Sequence, residues 1–368
     1  MARISVASGL PDFPWDSLTA AKEKAQSHPD GIVNLSVGTP VDPVAQLIRD
    51  GLASVSDEPG YPTTVGTRAL REAAVAALAR RYSVTDISVD AVLPAIGTKE
   101  MIAWLPSLLG LGSDDLVVIP ELAYPTYEVG ALLAGARVVR ADGLNRLGPE
   151  NASLVFVNSP SNPTGKVLPI DHLRKVVAWA RERGAVVVSD ECYLGLTWEA
   201  EAVSILDPRV SDGDHTNLLA VHSLSKTSNL ASYRAGFVAG DPILVKDLLE
   251  VRKHAGMIVP LPVQAAMTVA LTDDEHEKLQ RERYRARRTE LKAAVEKAGF
   301  TVDHSEAGLY LWATRGQPCR DTVDWLAELG ILTAPGEFYG PSGSQHVRIA
   351  LTATDERIHA AAERLTAS

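Results

Sequence analysis

Between residues 91 and 240 the chain repeats one pattern. A short run that is apolar at nearly every position is followed by a stretch with helical spacing. The runs are AVLPAIG (91–97), LVVIP (116–120), ARVVRAD (136–142), SLVFVNSP (153–160), AVVVSD (185–190), LLAVHSL (218–224) and AGFVAG (235–240). A strand with one face in water alternates apolar and polar residues. Runs that are apolar throughout and rich in valine belong to strands covered on both faces. The stretches KEMIAWLPSLLG and PIDHLRKVVAWARERG place their apolar residues three and four apart, as an amphipathic helix requires. This alternation predicts an α/β fold with a large domain built on a mostly parallel, doubly wound sheet. After about Pro262 the pattern changes. QAAMTVALTDDEHEKLQRERYRARRTELKAAVEKAG reads as a long, charged helical stretch. Two short strands, LYLWA (309–313) and HVRIAL (346–351), follow around another helix, which predicts a smaller α+β domain. The first forty residues hold a helix, SLTAAKEKAQSH, and an extended IVNLSVGTP, and are too short to fold alone. The expected organisation is an N-terminal segment (1–44) packing with the small domain, a large domain (45–262) and a small C-terminal domain (263–368).

Composition narrows the function classes. A length of 368 residues suits two domains. A formal net charge of −10 argues against nonspecific binding to nucleic acid or anionic membranes. No apolar stretch has the length to span a bilayer, and MARISVASGLPDFPWDSL lacks the basic start and apolar core of a signal peptide. The two cysteines, Cys192 and Cys319, form no disulfide framework and suit a reducing compartment, so a cytoplasmic location is expected. The NAS sequon at Asn151 is then coincidental. No HExxH, paired CxxC or histidine cluster suggests a metal, and NPTGK has the wrong glycine spacing for a nucleotide loop.

The candidate chemistry lies where the strands end. In open parallel sheets, ligands bind beyond the carboxyl ends of the strands. Those ends carry Gly97-Thr98-Lys99, Tyr124 with Tyr127, Asn162, Asp190, and Ser223 with Ser225 and Lys226. A Gly-Thr opening a helix offers backbone N–H groups and a hydroxyl to a phosphate. Ser223, Ser225 and Arg234 add hydroxyl and guanidinium donors to the same group. A strand-end aspartate pairs with a protonated ring nitrogen. A desolvated lysine loses its proton and attacks an aldehyde. A tyrosine such as Tyr124 stacks on a flat heterocycle. Phosphate, ring nitrogen, aldehyde and flat face together describe pyridoxal 5′-phosphate, PLP. Each residue also has a plainer reading. Lys226 fits a solvated loop, Asp190 a helix N-cap, Tyr124 the core, Arg348 a surface ion pair and Tyr61 a turn. His222, Cys192 and Tyr127 read as packing or support near the site. Phe13 and Trp15 fit either a substrate entrance or ordinary packing.

The same stretches carry a resemblance. YPTTVGTRALREA (61–73), IGTKE (96–100), AYPTY (123–127), NSPSNPTG (158–165), SDECY (189–193), SLSKTSNLASYRAG (223–236) and HVRIAL (346–351), in that order, resemble the class I/II aminotransferases of PLP fold type I. The likeness runs over nearly the whole chain. It implies that Lys226 binds the cofactor aldehyde and moves the proton between the substrate Cα and C4′. Asp190 is the implied partner of the ring nitrogen. Tyr193 and Asn162 are implied at the ring's phenolic oxygen, and Tyr124 on its face. Thr98, Lys99 through its backbone, Ser223, Ser225 and Arg234 are implied at the phosphate. Tyr61 corresponds to a tyrosine that reaches the neighbouring subunit's phosphate, implying a homodimer. Arg348 corresponds to the arginine that clamps a substrate α-carboxylate, which Gly38 also approaches through its backbone; Asn162 lies beside it.

LPDFPWDSL, HPDGIVNLSVGTPVDP and DEPGYPTTVGT are similar to the actinobacterial N-succinyldiaminopimelate aminotransferases of lysine biosynthesis. That likeness implies transfer from glutamate to N-succinyl-2-amino-6-ketopimelate. The alternatives are an aminotransferase of aspartate, alanine or aromatic amino acids, and a cysteine-conjugate β-lyase. A PLP-dependent transcription regulator is disfavoured, because the forty residues before the large domain hold no basic helix-turn-helix. A succinylated substrate needs a cation for its distal carboxylate, and Arg68 is one of several candidates.

Overall fold

A two-residue strand, β1 (Val33–Asn34), precedes the seven apolar runs, and each run forms a strand of one sheet. These are β2 (Val92–Ile96), β3 (Leu116–Ile119), β4 (Arg137–Arg140), β5 (Leu154–Asn158), β6 (Val186–Asp190), β7 (Leu218–Ser223) and β8 (Ala235–Gly240). The structure, a computed structural model, describes residues 5–147 and 150–368. The first four residues of the stretch read for a signal peptide lie outside it. The strand order is β2-β8-β7-β6-β5-β3-β4. Strands β3 to β7 run parallel, and β8 is antiparallel to both β7 and β2.

Twelve α-helices accompany the sheets among the described residues. They are α1 (Thr19–Gln26), α2 (Gln46–Ala53), α3 (Arg68–Tyr82), α4 (Thr98–Leu108), α5 (Thr126–Ala134), α6 (Ile170–Arg183), α7 (Pro208–Ser211), α8 (Pro242–Ala255), α9 (Leu261–Thr272), α10 (Glu275–Lys297), α11 (Cys319–Glu328) and α12 (Asp355–Ala367). The apolar runs follow from the layering. Val118, Val155, Val187 and Ala220 pack with α3, α6 and α9. Their neighbours Val117, Leu154, Val188 and Leu219 pack with α4, α5 and α8. Successive residues point to opposite faces, so a sheet buried on both must be apolar at every position.

The small domain draws on both ends of the chain. Strands β9 (Thr301–Asp303), β10 (Tyr310–Thr314), β12 (Ala334–Pro335) and β13 (His346–Ala350) form an antiparallel sheet in the order β12-β13-β10-β9. β1 pairs in parallel with β11 (Ile331–Leu332), joining the N-terminal segment to the C-terminal part. The long helical stretch after Pro262 is two helices. Asp273 Oδ2 accepts from the His276 N–H at 2.9 Å and so caps α10, while Asp274 pairs with Arg80 and Arg81. Ala266, Met267, Ala270 and Leu271 of α9 pack into the core of the large sheet. The break between the two helices falls at Asp273-Asp274, eleven residues beyond Pro262.

Candidate active site

The antiparallel course of β8 assembles one end of the site. Ser223 at the end of β7 lies opposite Gly236 near the start of β8. Ile96 at the end of β2 lies opposite Ala235. The turn carrying Ser225 and Lys226, the start of α4 and Arg234 are thereby brought to one place. Gly97 has a φ of +76°, and a side chain there would run into the Arg234 guanidinium. A Cβ on Gly236 would lie 3.1 Å from Thr98 Cγ2 and 2.9 Å from the His222 carbonyl oxygen. The two glycines let a helix N-terminus and a guanidinium close on the same point. Arg234 has a φ of 56°, rare for a residue with a side chain, and its Nη1 donates to the Ala231 carbonyl at 2.7 Å. The Ser223 hydroxyl accepts from the Ser225 N–H at 3.1 Å.

Asp190 ends β6 and is buried. Its Oδ2 accepts from the Tyr127 hydroxyl at 2.7 Å and its Oδ1 from the Cys192 N–H at 3.2 Å. Burial raises the Asp190 carboxyl above its ordinary range, against the hydrogen bonds from Cys192 and Tyr127. Asn158, at the end of β5, donates to the Asp190 carbonyl at 2.9 Å and accepts from the Asn162 N–H at 2.7 Å. Tyr124 meets Tyr127 edge-on, with ring centroids 5.8 Å apart, and burial pushes its hydroxyl up to about 12.

Lys226 Nζ donates to the carbonyl oxygen of Gly38 in the extended N-terminal stretch. Burial pulls its ammonium below the ordinary lysine value; Tyr310 and Cys192 act the other way, while Arg348 and Arg234 add to the lowering. Arg348 is buried, with its guanidinium 3.9 Å above the Tyr310 ring. It donates to Asn162 Oδ1 at 2.9 Å and to the Ser36 carbonyl at 2.7 Å, and its Nε has no protein partner. The Tyr193 and Tyr310 hydroxyls are 3.0 Å apart. Burial alone raises Tyr310, but the charges of Arg348 and Lys226 outweigh it and hold that hydroxyl below its ordinary value.

A half-buried amine, a buried carboxyl and a buried guanidinium thus converge beside a helix N-terminus. The family model for aminotransferase class I and II matches residues 30–365. The chain belongs to the class I and II aminotransferases. This aminotransferase is 68% identical over 365 residues to the probable aminotransferase Rv1178 of Mycobacterium tuberculosis, covering 99% of this chain and 87% of that protein. It is 60% identical to the 4-dedimethylamino-4-oxo-anhydrotetracycline transaminase OxyQ of Streptomyces rimosus, over 97% of this chain and 99% of that one. It is 31% identical to the LL-diaminopimelate aminotransferase of Aquifex aeolicus, over 97% and 96%. Among solved structures, an aminotransferase from Staphylococcus aureus superposes with a TM-score of 0.89 at 26% identity, over 99% of this chain and 98% of the other.

The aminotransferase uses pyridoxal 5′-phosphate, and the residues present fit it. The unpartnered Arg348 Nε, the close approach permitted by Gly97 and Gly236, and a half-buried lysine held, among the described residues, only by a backbone carbonyl suit a phosphorylated aldehyde and a carboxylate substrate. The fold brings together Thr98, Tyr124, Asn162, Asp190, Tyr193, Ser223, Ser225, Lys226, Arg234, Arg348 and Gly38. The Lys99 ammonium lies 5.7 Å from the Tyr124 ring centroid and 5.8 Å from that of Phe13. Tyr61 is 99% exposed and touches none of this cluster. Sequence reasoning passed over Tyr310, Asn158 and Ser36, and read Tyr127 only as packing or support. Tyr310 is legible only through register, since β10 and β13 set Trp312 opposite Arg348 and Tyr310 two residues away.

Proposed function

We propose that this aminotransferase is an N-succinyl-LL-diaminopimelate:2-oxoglutarate aminotransferase, passing the amino group of glutamate to N-succinyl-2-amino-6-ketopimelate. One observation carries the reading: two cations stand at different depths. Arg348 is buried beside Lys226, and Lys99 lies nearer solvent, over Tyr124, with no ion pair among the described residues. That difference in depth suits a substrate with an α-carboxylate and a distal one. Arg68 is unsuited to the distal role, because it is exposed and paired with Glu72 at 2.7 Å. The diaminopimelate aminotransferase relative and the N-terminal motifs support the same substrate class.

When bound, PLP supplies an aldehyde that condenses with amines and a ring that delocalises the electrons left at the substrate Cα. Lys226 Nζ takes the Cα proton and later returns one, and burial makes its neutral form available at lower pH than a surface lysine offers. Asp190, oriented by Tyr127 and the Cys192 N–H, keeps the ring nitrogen protonated. Arg348 grips the α-carboxylate through paired hydrogen bonds, with Asn162 and the Ser36 carbonyl fixing the fork. Gly38 contributes backbone beside that carboxylate. Tyr124 would cover one face of the ring, and Tyr193 with Asn162 would donate to its phenolic oxygen. Thr98, the Lys99 N–H, Ser223, Ser225 and Arg234 would hold the phosphate. Tyr61 completes the phosphate site of a second copy in a homodimer.

Lys226→Ala is expected to abolish turnover and the visible absorption band of the bound cofactor; retained turnover sinks the mechanism. Rates measured side by side with 2-oxoglutarate on N-succinyl-LL-diaminopimelate, aspartate, alanine and aromatic amino acids test the substrate. Equal or faster turnover of any of the last three overturns it. A second reading, amination of a bulky ring ketone, is favoured by the aromatic ladder Phe13, Trp15 and Phe338, with centroids 5.5 and 5.4 Å apart, and by the relation to OxyQ. Turnover of an oxo-anhydrotetracycline above that of the succinylated substrate selects it.

A further inference from the structure

A cavity of about 20 Å³ lies between α3, α10 and the ends of β6 and β7, lined by Tyr82, Glu191, Cys192, His222, Thr227 and Glu277 among others. It has room for one water. His222 is 5% exposed and is sandwiched between Tyr82 and Phe237, with centroids 5.8 and 5.0 Å away. Its Nε2 is 3.2 Å from Glu191 Oε2, yet neither buried atom completes a well-directed hydrogen bond. Glu191 Oε1 is anchored by the Ile205 N–H at 2.7 Å. Two buried polar atoms left open beside a water-sized space call for a bridging water. Their places in the chain give the bridge a purpose. Glu191 directly follows Asp190, and His222 directly precedes Ser223. The strands that deliver these residues are neighbours, with Asp190 opposite Val221 and the Glu191 N–H donating to the Val221 carbonyl at 2.9 Å.

We propose that His222 and Glu191, bridged by one water in this cavity, are a positioning pair that fixes the separation between Asp190 and the turn carrying Ser223, Ser225 and Lys226. The proposal rests on the assignment of Asp190 and Lys226 to the cofactor. A rigid cofactor is then held at its ring nitrogen, phosphate and aldehyde by two strand ends whose spacing the pair sets. Without the pair the ring tilts and binding weakens, although no residue contacting the cofactor has changed.

The test titrates apoenzyme with PLP and follows the visible circular dichroism of the bound cofactor. His222→Phe keeps an aromatic slab between Tyr82 and Phe237 but removes the ring nitrogens. It is expected to raise the PLP Kd by roughly tenfold and to alter the dichroism. Glu191→Gln keeps an oxygen for Ile205 and a polar group for the water, and is expected to stay near the parent. The double variant His222→Phe with Glu191→Gln keeps the acceptor for the Ile205 N–H, so the apoprotein is expected to melt near the parent while the PLP Kd stays raised, which separates positioning from packing. Should His222→Phe not fold, Glu191→Ala takes its place with the same expected rise. A folded His222→Phe protein, or Glu191→Ala in its place, with parental Kd and dichroism overturns the proposal, as does a holoenzyme crystal structure with a dry cavity. Failure of the underlying assignment reads differently: Lys226→Ala then keeps its turnover, whatever His222 does.

Discussion

Tyr127 shows how a residue gains a second use once its neighbours are in place. Its ring stacks on Phe156 at 4.8 Å in a fully buried position, and that alone would justify it. Its hydroxyl also donates to Asp190, whose carboxyl burial would otherwise leave poorly satisfied. Tyr127→Phe keeps the stack and removes one hydrogen bond to a buried carboxyl. A net loss of up to about 1.5–3 kcal/mol for such a bond predicts a rise in PLP Kd of roughly tenfold to a hundredfold. The bond is also present without cofactor, so a modest fall in the apoprotein melting temperature accompanies the rise in Kd. A Kd unchanged from the parent would show that Tyr127 serves packing alone.

At the scale of elements, the decisive feature is the direction of β8. Had it continued the parallel winding, Arg234 would begin a strand at the far edge from Ser223. Running antiparallel between β2 and β7, it sets Arg234, Thr98 and Ser223 side by side. At Gly236 the packing leaves no room for a side chain to settle freely, because backbone approaches it from β7 and from the start of α4. Gly236→Ala should push Thr98 and the helix start away. The expected result is a PLP Kd raised on the order of tenfold, since one helix-terminal phosphate contact loosens. Pyridoxal without the phosphate should bind as it does to the parent. Equal losses for both ligands would mean general disruption rather than a damaged phosphate cradle.

For the whole molecule, Tyr61 sits fully exposed on a loop ahead of α3, away from its own cluster. An aromatic side chain so placed is suited to another copy. The homodimer reading has a direct check. Lys226→Ala and Tyr61→Ala proteins are mixed and their subunits exchanged. Hybrid dimers then contain one site with both lesions and one with none, and activity returns to about a quarter of the parental level in a two-fold symmetric assembly. No recovery after proven exchange would place Tyr61 outside the partner's site. Among the described residues no helix is long and apolar enough to cross a membrane, in keeping with the lack of such a stretch in the sequence.

The sequence by itself determined the sheet, the strand ends and the chemistry they carry. Burial on both faces writes most positions of the central strands as apolar, so Val186–Asp190 and Leu218–Ser223 were legible without coordinates, whereas β4, at the sheet edge, is only partly buried and carries Arg137 and Arg140. Lysine, aspartate and paired serines at such ends are too costly in a core to be incidental. The break at Asp273-Asp274 was less legible, because charged helical spacing continues across it and only the cap and the arginines of α3 mark the stop. Other features belong to the tertiary structure alone. Tyr310 beneath Arg348, Asn158 behind Asn162, Ser36 at the guanidinium and the His222–Glu191 pair join residues between four and 312 positions apart. Local pattern reports which face of an element is buried. It does not report which side chains from other elements arrive there, since that depends on register and strand direction, and these are set by the packing of the whole chain.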